Sequence, residues 1–415
     1  MLSKSTRKLP AVVSGNLFYC RNATPGLSPL QSKLPRFLNS AIALVVAAMM
    51  VLALPGEMVA KDDQPKPPDI QNKSPKVAEA VRLRADGGDA SAQNRLGEMY
   101  ENGEHVDKDL KKAAIWYRRA ADQGLARAQL NLGVLYENGE GVVQNYREAA
   151  QWYGRAAEQS DLFAQLSLGI MYRLGRGVAQ DNVRAATLFR LVADRGYAIG
   201  QINLAFMYFD GLGVEQNFKT AFELFILAAK GGHPVAQNNL GLMFARGLGT
   251  PKDAKQSAAW HAKAAEQGLA NAQLHLAEKY DRGNGVEQNY PKAMHWYLRA
   301  ARQGEMAAQR QAGLGYRDGR GVRRNVEKAA NWLRRAAEVG DVETQVQLGV
   351  MLTQNGSQAA QQVEAYKWLS VAAARSNDAA GITKRLDELE KKLTSADLQA
   401  AKRQAAAWRN AHGVK

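Results

Sequence analysis

Pairs of glycines recur at Gly139 and Gly141, Gly175 and Gly177, and Gly211 and Gly213. Glycine-rich turns can cradle a phosphate with backbone N–H groups. That chemistry needs Lys-Ser or Lys-Thr after the turn, or Gly-x-Gly-x-x-Gly after a strand, and these turns have neither. The histidines are His105, His233, His261, His275, His295 and His412, and no His-Glu-x-x-His pair occurs among them. No serine stands in a Gly-x-Ser-x-Gly setting, the turn that exposes a hydrolase nucleophile. Cys20 is the single cysteine, so the chain beyond it has no disulfide framework, cysteine zinc site or thiol nucleophile. These residues predict no catalytic group, cofactor or metal. Binding is the chemistry left.

Two sets of side chains could bind. The first is basic: Arg118 with Arg119, Arg155, Arg190, Lys263, Arg299, and Arg334 with Arg335. On one reading they are a solvated face whose long stems cover apolar surface. On the other they form a row for an anionic ligand such as a lipid headgroup, an acidic polysaccharide or an acidic protein. Nucleic acid is not expected, because no aromatic residues interleave with the row. The second set is an apolar groove, and its position depends on the elements that carry it.

Those elements repeat. Trp116, Trp152, Trp260, Trp296, Trp332 and Trp368 are spaced by multiples of 36, with Leu188 and Leu224 at the missing multiples. Gln93, Gln129, Gln165, Gln201, Gln237, Gln273, Gln309 and Gln345 form an unbroken series at the same period. Eight units therefore run from Asp89 to Ser376, starting at residues 89, 125, 161, 197, 233, 269, 305 and 341. Each predicts two helices. Ala92, Leu96, Gly97 and Tyr100 make the apolar stripe of helix A, and Ala113, Trp116, Tyr117, Ala120 and Ala121 that of helix B. Gly124 ends the second helix. One pair cannot bury its apolar face alone, so the units must stack. His261 falls where other units carry Tyr, Phe or Leu and reads as a packing residue.

The pattern Ala-Gln-x-x-Leu-Gly-x-x-Tyr-x-x-Gly-x-Gly-Val, then Ala-x-x-Trp-Tyr-x-x-Ala-Ala-x-x-Gly, runs clearly from Ala128 and Gln129 to Ala156 and Ala157. It resembles the Sel-one-like repeat family, a relative of tetratricopeptide repeats. The resemblance implies an all-α, right-handed α-solenoid that binds partners, usually proteins, on a concave face. Bacterial members often work at the cell envelope. Some cysteine-rich members are linked to β-lactam binding or hydrolysis. This chain lacks those cysteines and has no Ser-x-x-Lys pair in its repeats, so that activity does not carry over and a non-catalytic scaffold is expected.

By the same resemblance, groove-facing positions lie one to two residues either side of the Leu-Gly and Tyr signatures. In unit one these are the polar Ser91, Asn94, Glu98, Glu101 and Asn102. Unit three gives Phe163, Leu166, Ile170, Arg173 and Leu174. Unit four gives Ile199, Ile202, Phe206, Phe209 and Asp210. Unit five includes Leu242 and Arg246. Units six and seven turn polar. An apolar floor in mid-array with charged flanks would suit a partner peptide or amphipathic helix. The competing reading is that these residues are buried against their neighbours.

The ends differ. Residues 1–56 contain no Asp or Glu, and Ala41 to Leu54 is an apolar run preceded by Lys33 and Arg36. This reads as a signal peptide or uncleaved anchor, placing the rest in the periplasm or on the inner membrane. An acid-free leader rich in Arg and Ser also fits a mitochondrial presequence. Residues 61–75 read as a Pro-rich polar spacer, and residues 76–88 as a covering helix. After Ser376, Ile382, Leu386, Leu389 and Leu393 predict one capping helix. Leu398, Ala401, Ala405 and Trp408 predict a second, opened by a Thr394–Asp397 capping box. The chain has 415 residues, 46% of them apolar, which excludes wholesale disorder. Its net charge of +15 permits acidic partners without naming one.

Overall fold

Asp or Asn stands before almost every helix B, and glycine follows almost every helix A; these residues fix where each helix starts and stops. The computed structural model describes residues 74–354, 358–376 and 379–414, and all regular structure in them is helical. The apolar run 41–54 and all of the 61–75 spacer but Ser74 and Pro75 lie outside the described residues, and Pro75 already begins the first helix. Among the described residues, no helix is long and apolar enough to cross a membrane.

Contacts divide the chain at Ala228 and Ala229 into two units. The first begins with α1 (Pro75–Asp86). It continues through α2 (Ala90–Asn102) with α3 (Leu110–Asp122), and α4 (Ala126–Asn138) with α5 (Tyr146–Glu158). Next come α6 (Leu162–Leu174) with α7 (Asn182–Asp194), and α8 (Ala198–Asp210) with α9 (Phe218–Lys230), which carries the division. The second unit contains α10 (Pro234–Arg246) with α11 (Ala254–Glu266), and α12 (Ala270–Arg282) with α13 (Tyr290–Arg302). It ends with α14 (Met306–Asp318) and α15 (Val326–Glu338), α16 (Val342–Leu352) and α17 (Ala359–Ala373), then α18 (Ala379–Glu390) and α19 (Ser395–Ala411). Within each unit, consecutive helix pairs pack as an all-α solenoid.

The caps are local chemistry. Asp109 and Asn145 accept from backbone N–H groups in the first turns of α3 and α5. Each such cap contributes about 1 kcal/mol. Helix A ends on a left-handed glycine, such as Gly139 at φ 73°.

The glutamine series is a buried ladder. Gln93 and Gln129 in the first unit, and Gln237, Gln273, Gln309 and Gln345 in the second, donate Nε2 to the carbonyl eight residues earlier. Their Oε1 atoms accept from a second glutamine after helix B where one exists, as Gln123 does for Gln93 at 2.7 Å. Gln165, Gln309 and Gln345 face Arg195, Val339 and Arg375 instead, and their Oε1 atoms are buried without a partner.

Helix A lies close to helix B because of glycine. A Cβ at Gly97 would sit 2.6 Å from the Tyr117 ring, and one at Gly241 would sit 2.7 Å from His261. His261 is accordingly a buried packing residue.

The ends close the core. In α1, Ala85 packs with Leu96 and Met99. At the other end Ile382, Leu389, Ala401, Ala405 and Trp408 join the core of the last repeats, with Leu386, Leu393 and Leu398 against them. Thr394 accepts from the Asp397 N–H, and its hydroxyl donates to the Asp397 carboxylate at 2.7 Å. This is half of the expected reciprocal box.

Candidate functional site

The five helix A positions expected to line a groove do not all face the same way. Asn131 Nδ2 donates to Asn94 Oδ1 at 3.1 Å, so the position of Asn94 lies between neighbouring A helices. The Tyr117 hydroxyl donates to Glu101, so that position turns back towards helix B. In repeats three and four the consequence is burial. Leu166, Ile170, Ile199, Ile202 and Phe209 are all under 9% exposed and serve as packing residues.

A narrower rim stays accessible. Phe163 is 38% exposed and Leu174 43%. Arg173 and Phe206 are half-buried and Asp210 is exposed. Although much of Asp210 meets solvent, partial covering of its carboxyl raises it above its ordinary range, and the positive charge of Arg173 pulls it partly back. The structure thus brings Arg173 and Asp210 together. Phe206 packs edge-on against Phe225 at 5.2 Å. In the second unit Leu242 is half-buried and Arg246 exposed.

The same positions open into a groove where the sequence reading did not look. A cavity of about 640 Å³ lies over α16, lined by Val342, Glu343, Val346, Gln347, Val350, Met351 and Gln354 of that stretch, with Arg317, Arg375 and Ser376. Glu343, Val346, Val350 and Gln354 are the repeat-eight counterparts of Ser91, Asn94, Glu98 and Asn102. Val342, Val346 and Val350 recur every fourth residue and form a half-buried aliphatic strip. Arg317 is tied to Asp318 by two hydrogen bonds and to Gln347 by a third. The signal was available: unit eight alone puts valine at all three of these positions.

The basic residues form two sets. Arg119 and Arg155 in the first unit, and Lys263, Arg299 and Arg335 in the second, each lie over the tryptophan three residues earlier, at 4.0–5.1 Å from the ring centroid. Arg118 and Arg334 reach the following repeat instead. Arg118 donates to the Tyr136 hydroxyl at 2.6 Å, and Arg334 forms a two-pronged pair with Glu364. The expectation that no aromatic residues interleave with the row is therefore corrected. One helical turn separates each of these tryptophans from its cation, and the cation covers the ring. In repeats three and four the same pairing becomes Leu188 with Leu191 and Leu224 with Leu227; Leu191 and Leu227 are exposed.

Polar groups are buried in repeats five and six. The His261 ring is 4.9 Å from His275. Burial, then His275 and Lys279, hold the His261 imidazole well below its ordinary value. Lys279 is buried where Met99, Leu135, Met171, Met207 and Met243 stand in other repeats. Burial lowers its ammonium, with Glu278 opposing. Among the described residues, no cluster of three or more His, Cys, Asp or Glu could hold a metal.

The Sel1 repeat family matches residues 90–125, 126–161, 162–197, 198–233, 234–269, 270–305, 307–341 and 342–377. No curated protein matches. Among solved structures, a Sel1 repeat protein from Oxalobacter formigenes is 34% identical, with 66% of this chain and 80% of that chain covered and a TM-score of 0.59. A protective antigen present in uropathogenic Escherichia coli strains, displaying an SLR fold, is 32% identical, with 81% and 79% covered and a TM-score of 0.50. With eight consecutive matches over most of its length, this chain belongs to the Sel1 repeat family.

Proposed function

We propose that this chain is a non-catalytic protein-interaction scaffold of the cell envelope, holding a partner segment against its A helices. Sel1-repeat proteins are generally protein-interaction scaffolds. The observation that carries the finer reading is the open groove over α16, which helix A positions line with aliphatic side chains. Its volume of about 640 Å³ is within the range of about 300–1,000 Å³ typical of ligand sites. The accessible rim of Phe163 and Phe206, beside Arg173 and Asp210, offers a second contact of the same mixed character. Placement in the envelope rests on the apolar run after Lys33 and Arg36.

The test is affinity capture from native envelope extract with the full chain as bait, washed at low and high salt. Retention of one protein at high salt supports the reading, because apolar contacts survive screening. Retention of anionic polymer alone, released by salt, overturns it in favour of a polymer-binding accessory. Enrichment of the tagged chain in mitochondria rather than a bacterial envelope would overturn the location.

A further inference from the structure

We propose that the groove over α16 selects peptide segments carrying a carboxylate beside branched aliphatic side chains. The inference rests on the scaffold reading and names the ligand class of its site. Three observations carry it.

The floor is aliphatic and directional. Val342, Val346 and Val350 succeed each other along one face of α16, which sets a strip for branched side chains. Gln347 and Gln354 stand beside the strip, and their amides can hydrogen-bond a peptide backbone.

The charges around the strip are mostly spent. Glu343 is held by Arg310, which also contacts Asp341 at 3.3 Å. Asp318 is held by Arg317 at 2.7 and 2.8 Å. Among the described residues, no carboxylate pairs with Arg375, which is exposed and lines the groove. Among the described residues, Arg375 is thus the guanidinium of the groove without a carboxylate partner.

Arg375 also departs from the repeat. At its position Gln123 and Gln159, and Gln267 and Gln303, donate to the buried ladder glutamine. Arg195, the other arginine at this position, donates to the Ser160 carbonyl at 2.8 Å. Arg375 makes neither bond, and Gln345 Oε1 is left buried without a partner. Its donors remain for a ligand. A guanidinium binds carboxylate with two parallel hydrogen bonds, more strongly than a neutral donor could.

The experiment is affinity selection of soluble twelve-residue synthetic peptide libraries on the full chain, read by mass spectrometry. The libraries are made with free-acid and amidated C-termini. The expected result is enrichment of sequences with Asp or Glu near Leu, Ile or Val. Enrichment in both libraries assigns a side-chain carboxylate, and in the free-acid library alone the chain terminus. Arg375→Glu lies on the surface and leaves folding intact. It is expected to lower recovery of the acidic peptides at least tenfold and to shift the enriched set towards Lys and Arg. Val346→Asp, checked by thermal unfolding, is expected to remove both sets. Peptides that prefer neither an acidic side chain nor a free C-terminus, or carboxylate-bearing peptides indifferent to Arg375→Glu, overturn the inference and leave the scaffold reading standing on its own capture. No enrichment from either library also overturns it. Failure of the scaffold reading shows separately, as an envelope capture that retains no protein.

Discussion

The Tyr117 hydroxyl donates to the Glu101 carboxylate at 2.5 Å, with both side chains buried between helix A and helix B of the first repeat. The second repeat repeats the bond with Tyr153 and Glu137 at 2.8 Å. Where the aromatic has no hydroxyl the acid disappears too: Phe189 faces the register of Arg173, and Phe225 that of Phe209. The reason is desolvation. A buried carboxylate without a donor costs about 1–3 kcal/mol, so acid and hydroxyl occur together.

Tyr117→Phe is therefore expected to destabilise the chain by about 1–3 kcal/mol near neutral pH, measured by urea unfolding. Adding Glu101→Ala should recover part of the loss. Burial raises the Glu101 carboxyl above its ordinary 4.5, and the Tyr117 bond pulls it partly back. An acid raised in the folded state contributes most at low pH and loses stability as pH rises through its folded value. The Tyr117→Phe penalty should accordingly shrink as pH is lowered towards 4.5. Strict additivity of the two single changes would contradict the coupling.

Acid should weaken the second unit through its histidines. Burial lowers the His233 imidazole from 6.5 to about 4. His261 is also held well below its ordinary 6.5, by burial first and then by His275 and Lys279. A base depressed on folding takes up protons on unfolding, so its stability is full above 6.5 and falls below it. Each such histidine costs up to about 1.4 kcal/mol per pH unit in that window. His261→Phe, which copies Phe189 and Phe225, should flatten the melting-temperature profile between pH 6.5 and 4. An unchanged slope would exclude His261 as its source.

Val339→Gln should stabilise. Val339 is 59% exposed and stands where Gln123 completes the ladder, with a similar backbone, φ −73° against −80°. A glutamine there can donate to the buried Oε1 of Gln309, which has no partner. One satisfied buried acceptor contributes about 1 kcal/mol. Urea midpoints of the two proteins decide it, and a lower midpoint would refute the ladder geometry.

Gly141→Ala should be severe, and His105→Gly mild. Gly141 has φ 71°, and a Cβ there would lie 2.1 Å from the Leu110 carbonyl oxygen of the preceding repeat. We expect a loss of about 3 kcal/mol or more. His105 is the same position in the first repeat at φ 59°, where α1 stands in the place of a preceding helix B and the His105 Nδ1 accepts from the Ser74 N–H at 3.2 Å. Replacing it should change stability by about 1 kcal/mol or less. Equal effects at the two sites would show that backbone strain, rather than the neighbouring carbonyl, sets the cost.

Phe206→Asp should lower stability, because Phe206 packs on the fully buried Phe225. Phe163→Asp, on a more exposed side chain, should leave unfolding within about 0.5 kcal/mol of the parent. If both variants melt like the parent, Phe206 belongs to the surface after all.

The repeat, its two helices and their ends were legible from spacing alone. Periodicity records which side chains must be apolar or small in every copy, and Asp109, Gly139 and Gln129 act on their own few residues of backbone. The binding surface was not legible in the same way. Whether Leu166 or Val346 meets solvent depends on how the next A helix leans against it, and both occupy one sequence position. Whether Arg155 is free or rests on Trp152 depends on a rotamer chosen by packing. Arg375 differs from Gln159 by one substitution, yet only the tertiary structure shows that Glu343 and Asp318 are already occupied, which among the described residues leaves Arg375 without a carboxylate partner beside an aliphatic strip.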